Sequence, residues 1–207
     1  MMGIIDEVGI ALTAQELVDV LRALHGLQDD QGTAVMARLK QLQRLKLFGA
    51  SPVGRGRNSV FLLSETLRAV IIFELIAAGL RTAEAGRIVD ADWSLVLCAL
   101  KTGWKERRLK PAKAALLVVE TSLLKEAGRP RTISRGKKST EKPAQVSFCR
   151  SSIIAGELAQ KSARRAIILR PDQIAISLSN VLSQRGLTES AFGRILELAV
   201  GDDESGT

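Results

Sequence analysis

The chain has 207 residues, 46% hydrophobic and 25% charged, with a formal net charge of +8 and a pI near 9.9. That is ordinary for a soluble globular protein with material for a real core, and the charge favours an anionic partner. Aromatics are 3% with no tyrosine, so the core is expected to be aliphatic.

Asp6 and Glu7 stand where a secretory signal needs cationic and apolar residues. The longest apolar run, Ala69 to Leu80, is broken by Glu74 and falls short of the roughly 20 residues needed to cross a bilayer. A cytoplasmic protein with no membrane partner is expected. Cys98 and Cys149 lie in apolar stretches and are expected as buried thiols. With His25 they have no metal-ligand spacing, so neither a metal nor a cofactor is expected.

Thr13-Ala14-Gln15-Glu16 is a capping box, followed by Leu17, Val18, Val20, Leu21 and Leu24 at helical spacing as far as Gly26. Gln28 to Gly32 reads as a loop. A second helix is expected over Thr33–Lys46, with Val35, Leu39, Leu42 and Leu45 on its buried side and Gly49 as its terminator. Val53 and Val60 to Leu63 suit strands around the turn residues Gly54 to Ser59, which predicts a hairpin with Arg55 and Arg57 at its tip. Ser64 is the expected cap of a third helix ending at Gly79, and Thr82 with Glu84 opens a fourth that reaches about Asp90.

Ala91 to Gly103 reads as a helix, with Trp93 and Trp104 on one side of it and packed in a core or dimer contact. Pro111 to Glu120 suits a helix or a buried strand equally, because periodicity does not separate them. Gly128 to Gln145 is a basic linker, with Glu141 its only acid, that acts as a tether or as an arm adding phosphate contacts. Strands are expected at 146–149 and 166–169, helices at Ser152–Lys161 and Pro171–Gln184, a short last helix capped by Thr188, and a disordered tail from Gly201.

Charge is unevenly placed. Thr33 to Asn58 carries Arg38, Lys40, Arg44, Lys46, Arg55 and Arg57 without an acidic residue, whereas Met1 to Asp30 holds six carboxylates against Arg22 alone. Cations concentrated on one helix and one turn are the pattern of a face laid on a polyanion.

The order helix, helix, basic hairpin, helix, helix resembles the DNA-binding domain of MerR-type regulators. The segments that carry the resemblance are Thr13–Leu24, Arg38-Leu-Lys-Gln-Leu-Gln-Arg-Leu-Lys-Leu-Phe-Gly49, Gly54-Arg-Gly-Arg-Asn-Ser-Val-Phe61 and Leu75-Ile-Ala-Ala-Gly-Leu-Arg-Thr-Ala-Glu-Ala-Gly-Arg-Ile88. It covers roughly the first 90 residues. The chain departs from that family in lacking aromatics around the helix and hairpin, a long heptad helix after Val89 and a cysteine cluster, so metal sensing is not carried over.

The expected fold is mainly α with an α+β C-terminal part: the resemblance implies an N-terminal winged helix-turn-helix over 1–90, and the residues beyond it read as a connecting apolar segment over 91–127, the basic linker over 128–145, a small α+β oligomerisation or interaction module over 146–200, and the tail over 201–207. The expected DNA-binding set is Thr33, Arg38, Lys40, Gln41, Arg44, Lys46, Arg55, Arg57 and Asn58. Arg38, Gln41 and Arg44 face base edges, Lys40 and Lys46 lie nearer phosphates, and the hairpin arginines reach phosphates or the minor groove.

Enzyme chemistry finds no support, since His25 lacks an evident partner and no phosphate loop is present. The expected function is a sequence-specific regulator of transcription, bound as a homodimer to double-stranded DNA and in contact with the transcription machinery. The rivals are an architectural, replication, partition or packaging DNA-binder, and a protein-interaction adaptor on the same fold.

Overall fold

Thr13 ends a strand and caps the first helix, and most of the remaining architecture follows from similar local signals. The computed structural model describes residues 5–6, 9–47, 60–107, 115–120, 145–150 and 166–201. Strands β1 (Ile5–Asp6) and β2 (Gly9–Thr13) precede α1 (Ala14–His25), and a 3-10 turn at Asp29–Gln31 leads into α2 (Gly32–Arg44). Then come β3 (Val60–Leu62), α3 (Leu63–Ala77), α4 (Thr82–Ala91) and α5 (Trp93–Glu106). The last elements are β4 (Ala115–Glu120), β5 (Gln145–Arg150), β6 (Ala166–Leu169), α6 (Pro171–Ser183) and α7 (Glu189–Gly201). The described chain is mainly helical, with two small antiparallel sheets.

The capping box is present in both directions. The Glu16 amide donates to Thr13 Oγ1 at 3.3 Å, and the Thr13 amide donates to the Glu16 carboxylate at 2.8 Å. That backbone hydrogen bond is the main reason the Glu16 carboxyl lies below its ordinary range. Gly26, at φ 60°, closes α1 in the left-handed conformation. Gly79 at φ 101° closes α3, and Gly186 at φ 94° follows α6.

Ser64 is not the cap of α3. The helix begins one residue earlier, at Leu63, so Ser64 lies inside the first turn, and the Glu65 carboxylate accepts from the Leu62 amide at 2.5 Å. Burial pushes the Glu65 carboxyl up, against that bond and the nearby Arg68 charge. At the other end of the chain Thr188 does cap α7, its Oγ1 accepting from the Ala191 amide at 3.2 Å.

The first sheet runs β1–β2–β3, with Ala11 opposite Leu62 and Thr13 opposite Val60. Val60–Leu62 is therefore a strand as expected, but its described partner is an N-terminal strand that the sequence reading did not contain. Val53 and the turn Gly54 to Ser59 lie outside the described residues.

The second sheet runs β5–β4–β6. It settles the ambiguity at Pro111 to Glu120: Ala115–Glu120 is a strand, with Leu117 opposite both Phe148 and Leu169. Leu117 and Val119 join the main core, while Leu116 and Val118 are buried on the other face. The Ser152–Lys161 helix, the linker up to 144 and the tail beyond Gly201 fall outside the described residues.

One aliphatic core extends from Leu12 to Leu196 and is not interrupted at the expected boundary near residue 90. Helix α5 is central to it, packing on α6, α7 and β4, while α6 also packs on α1. The approach of α5 to α6 is set by Gly103, where a Cβ would stand 2.6 Å from the Asp172 nitrogen. Both tryptophans lie on the inner side of α5. Trp104 is 8% exposed, meets Phe192 edge-on at 4.8 Å between ring centres, and carries the Arg107 guanidinium 4.0 Å above its ring. Trp93 is half-buried beneath Arg68 at 4.7 Å.

Cys98 does not meet its expectation of burial: it is exposed. With Val96, Leu97, Leu100 and Trp104 turned to the core, position 98 falls on the opposite face of α5, beside the exposed Ser94 and Lys105. Among the described residues no helix is long and apolar enough to cross a membrane, and no three His, Cys, Asp or Glu side chains cluster as metal ligands.

Asp172 is the buried charge of this core. Burial alone would raise its carboxyl, but Arg170 donates to both of its oxygens (3.1 and 2.5 Å) and Gln173 donates to one at 3.2 Å, and the balance lowers it. A carboxyl lowered on folding contributes stability above its unfolded value, near 4, and loses it as the pH falls through the folded value. Chemical denaturation from pH 7 to pH 2 should show an acid limb that Asp172→Asn flattens. An unchanged limb would mean that Asp172 is not ionised in the native state.

Candidate nucleic-acid interface

Helix α2 is built on Val35, Leu39 and Leu42, which are 0%, 2% and 0% exposed and anchor one side in the core. At about 100° per residue the opposite arc holds Thr33, Ala34, Ala37, Arg38, Lys40, Gln41 and Arg44, and every one is exposed. The sequence-predicted face is thus brought together on a single surface. Arg38 and Arg44 lie about 9 Å apart along the axis. Ala34 and Ala37, small residues between the longer side chains, leave the helix backbone accessible to a close partner.

The two helix boundaries shift from the expected ones. The helix starts at Gly32, because the 3-10 turn runs directly into it, and stops at Arg44, well before Gly49. The stop is made by Lys46, at φ 56°. Its amide bonds the Gln43 carbonyl at 3.0 Å and the Leu47 amide bonds the Leu42 carbonyl at 3.1 Å, the pair of bonds that closes a Schellman turn. Leu47 packs against α4, where a Cβ on Gly86 would come within 2.9 Å of both Leu42 Cδ2 and Leu47 Cδ1. Packing of Leu47 thus selects the terminator, and a lysine takes the place usually held by glycine.

A non-glycine residue in this conformation costs about 1–2 kcal/mol. Lys46→Gly is accordingly expected to raise stability by about 1 kcal/mol while weakening binding of a polyanion, since an exposed cation leaves the helix end. Urea denaturation and a binding titration on the same variant check both halves. A stability loss would show that the lysine side chain, and not the turn, holds this corner.

The electrostatic setting of these cations differs from that of most others on the described surface. Arg22, Arg68, Lys105, Arg107, Arg170 and Arg185 each have a carboxylate within 4.0 Å. No ion pair among the described residues involves Arg38, Lys40, Arg44 or Lys46, nor Arg81, Arg87, Lys101 or Arg194; these last four are spread over α4, α5 and α7 and their ends, which carry acids of their own, whereas α2 contains no acid. The surface is graded along its length: the exposed carboxylates Asp29 and Asp30 precede the helix, and the cations fill its middle and last turns. Arg55, Arg57 and Asn58, the remainder of the expected set, lie outside the described residues.

Sequence reasoning missed Arg22, which organises the turn before α2, although its isolation among six carboxylates was a visible signal. It also missed the partner of His25: Glu74 Oε1 lies 4.0 Å from His25 Nδ1 across the α1–α3 contact.

No family model matches the sequence, and no curated protein matches it. What the α2 face can do is read from its own chemistry. Guanidinium groups with no carboxylate partner among the described residues are available to phosphate or to guanine edges, and an exposed glutamine beside them can pair with adenine.

Proposed function

We propose that this chain is a sequence-specific, double-stranded DNA-binding regulator of transcription, of the winged helix-turn-helix kind that its first 90 residues resemble, and that α2 is its reading helix. One observation carries the proposal. Arg38, Lys40 and Arg44 on the exposed face of α2, with Lys46 at its end, have no carboxylate partner among the described residues and no acid within the helix, whereas the cations of α4, α5 and α7 share their elements with acids.

Three cations on one helix and a fourth just past its end, unpaired among the described residues, repel one another when the face meets only water. A polyanion removes that repulsion and releases its own counterions as it binds. Duplex DNA fits better than a single strand, since the face is a convex helix surface with no aromatic side chain to stack on bases. A helix enters the major groove, about 12 Å wide, and the spacing of Arg38 to Arg44 falls within that width. Arg38 and Gln41, one turn apart, are assigned to base edges; Lys40 and Lys46 are assigned to phosphates. As a regulator the protein would act as a dimer on a two-fold site.

Fluorescence anisotropy of duplex DNA across a salt series tests the reading. Preference for the chain's own upstream region over scrambled duplex, retained near physiological salt, is the expected result. Equal affinity for both duplexes, collapsing as salt rises, would replace the regulator by an architectural binder. Absence of binding at any salt would leave the face to an acidic protein partner.

A further inference from the structure

Arg22 is the only cation among the first 30 residues, and the turn between α1 and α2 is assembled around it. Its carbonyl accepts from the amides of Gly26 and Leu27, the latter at 3.0 Å, which ends α1. Its Nε donates to the Gln28 carbonyl at 3.3 Å, and its Nη2 donates to the Asp29 carboxylate. Its Cδ lies 3.5 Å from the position a Gly32 Cβ would take, so the side chain lies along the first residue of α2. The last turn of α1, the 3-10 turn and the start of α2 therefore meet on one side chain.

The contact continues to the C-terminal part of the fold. Asp19 lies 3.7 Å from Arg22 through one oxygen and 3.8 Å from Arg185, just beyond α6, through the other. Exposed ion pairs are individually weak. Here one guanidinium with only 20% of its side chain exposed serves three acceptors at once, a geometry its planar fork allows and a lysine ammonium does not.

We propose that Arg22 is a positioning residue for the α2 face: it fixes the turn that sets the angle of α2, and through Asp19 and Arg185 it ties that angle to the end of α6. The inference rests on the DNA-binding reading for its consequence, but not for its structural part. Arg22 touches no nucleic acid in this scheme. Its side chain is turned into the turn, away from the arc that carries Arg38, Gln41 and Arg44.

The experiment pairs hydrogen exchange on the free full-length protein with duplex binding, for Arg22→Ala, Arg22→Lys and Arg185→Ala. The reporters are the turn amides of Gln31, bonded to the Gln28 carbonyl at 3.1 Å, and Gly32, bonded to the Asp29 carbonyl. Arg22→Ala is expected to speed their exchange about tenfold while Ile71 and Ile72 in α3 stay protected, and to weaken duplex binding about five- to tenfold at an unchanged salt slope. Arg22→Lys should restore neither, and Arg185→Ala should give a smaller effect of the same kind.

Turn amides that remain protected in Arg22→Ala would overturn the proposal. So would full rescue by lysine with a shallower salt slope in the alanine variant, which would make Arg22 a phosphate contact. Loosened amides with unaltered duplex affinity would also overturn it. If the wild-type protein binds no duplex, the DNA reading fails by itself, and the exchange data alone decide whether Arg22 positions α2.

Discussion

Gly103→Ala is expected to cost about 2–3 kcal/mol of folding stability, among the largest losses available from adding a single methyl group to this chain. The added Cβ would lie 2.6 Å from the Asp172 nitrogen, 2.9 Å from the Pro171 carbonyl carbon and 3.1 Å from the Asp172 Cα. All three are backbone atoms, so no rotamer change relieves the overlap. Helix α6 must move away from α5 by several tenths of an ångström along their contact, which loosens the packing of Ile174, Ala175 and Leu178 in the core.

Alanine is the better helix former by about 1 kcal/mol, and that gain is already deducted. The contrast is Gly86→Ala, where the atoms met at 2.9 Å are the δ-methyl groups of Leu42 and Leu47. Those tips can turn, so the second variant should lose less, about 1 kcal/mol. Urea midpoints for the two variants give the order directly. A Gly103→Ala protein within about 0.5 kcal/mol of wild type would show that α5 and α6 do not touch through their backbones.

The second large effect concerns binding. Removing Arg38 and Arg44 together is expected to lower duplex affinity about 100-fold at moderate salt, as two lost contacts of about 1–2 kcal/mol each. The preference for the native over the scrambled duplex should fall with it, while the slope of log affinity against log salt should change by less than about 1, because both arginines are assigned to base edges and the phosphate-facing Lys40 and Lys46 remain. Stability should change by less than about 0.5 kcal/mol, because both side chains are exposed and neither joins an ion pair among the described residues.

Lys105→Ala with Arg194→Ala is the matched control. It removes the same charge from the open groove between α5 and α7, where Lys105 already pairs with Glu197 at 3.2 Å. That pair of substitutions should weaken binding by less than about threefold. Equal losses in the two double variants would mean that net charge, and not the α2 face, drives association. Losses confined to Arg38 and Arg44 would place the interface on the α2 face.

Much of the local structure was legible from residues that act within one turn of the chain. Thr13 and Glu16 are three positions apart and their hydrogen bonds are reciprocal, so the box that starts α1 is written in four letters. Gly26, Gly79 and Gly186 mark helix ends because a left-handed backbone costs glycine little. The cationic arc of α2 was readable for the same reason: helical geometry assigns residues to faces without reference to the rest of the fold.

The misreadings share a different cause. Gly49 looked like the terminator of α2, yet the helix ends where Leu47 meets Gly86, a contact between residues far apart in sequence. The run Ala115 to Glu120 had no period because both faces of β4 are buried, Leu117 and Val119 on one side and Leu116 and Val118 on the other. Strand β2 went unread because its pairing with Val60–Leu62 spans about fifty residues, and a five-residue strand carries little pattern of its own. Cys98 was judged by its apolar neighbours in sequence, whereas the phase of α5 against α6 and α7 turns it outward.

By itself, then, the sequence determined where helices begin and end on short-range caps, which side of α2 is cationic, and that the core is aliphatic, because these follow from hydrogen bonds and side-chain directions within a few residues. Only the tertiary structure decided that Arg22 gathers the turn before α2, that Lys46 and not glycine stops that helix, and that Gly103 lets α5 and α6 meet. Each of those depends on distances between residues brought together by packing, and no local pattern encodes a distance across the core.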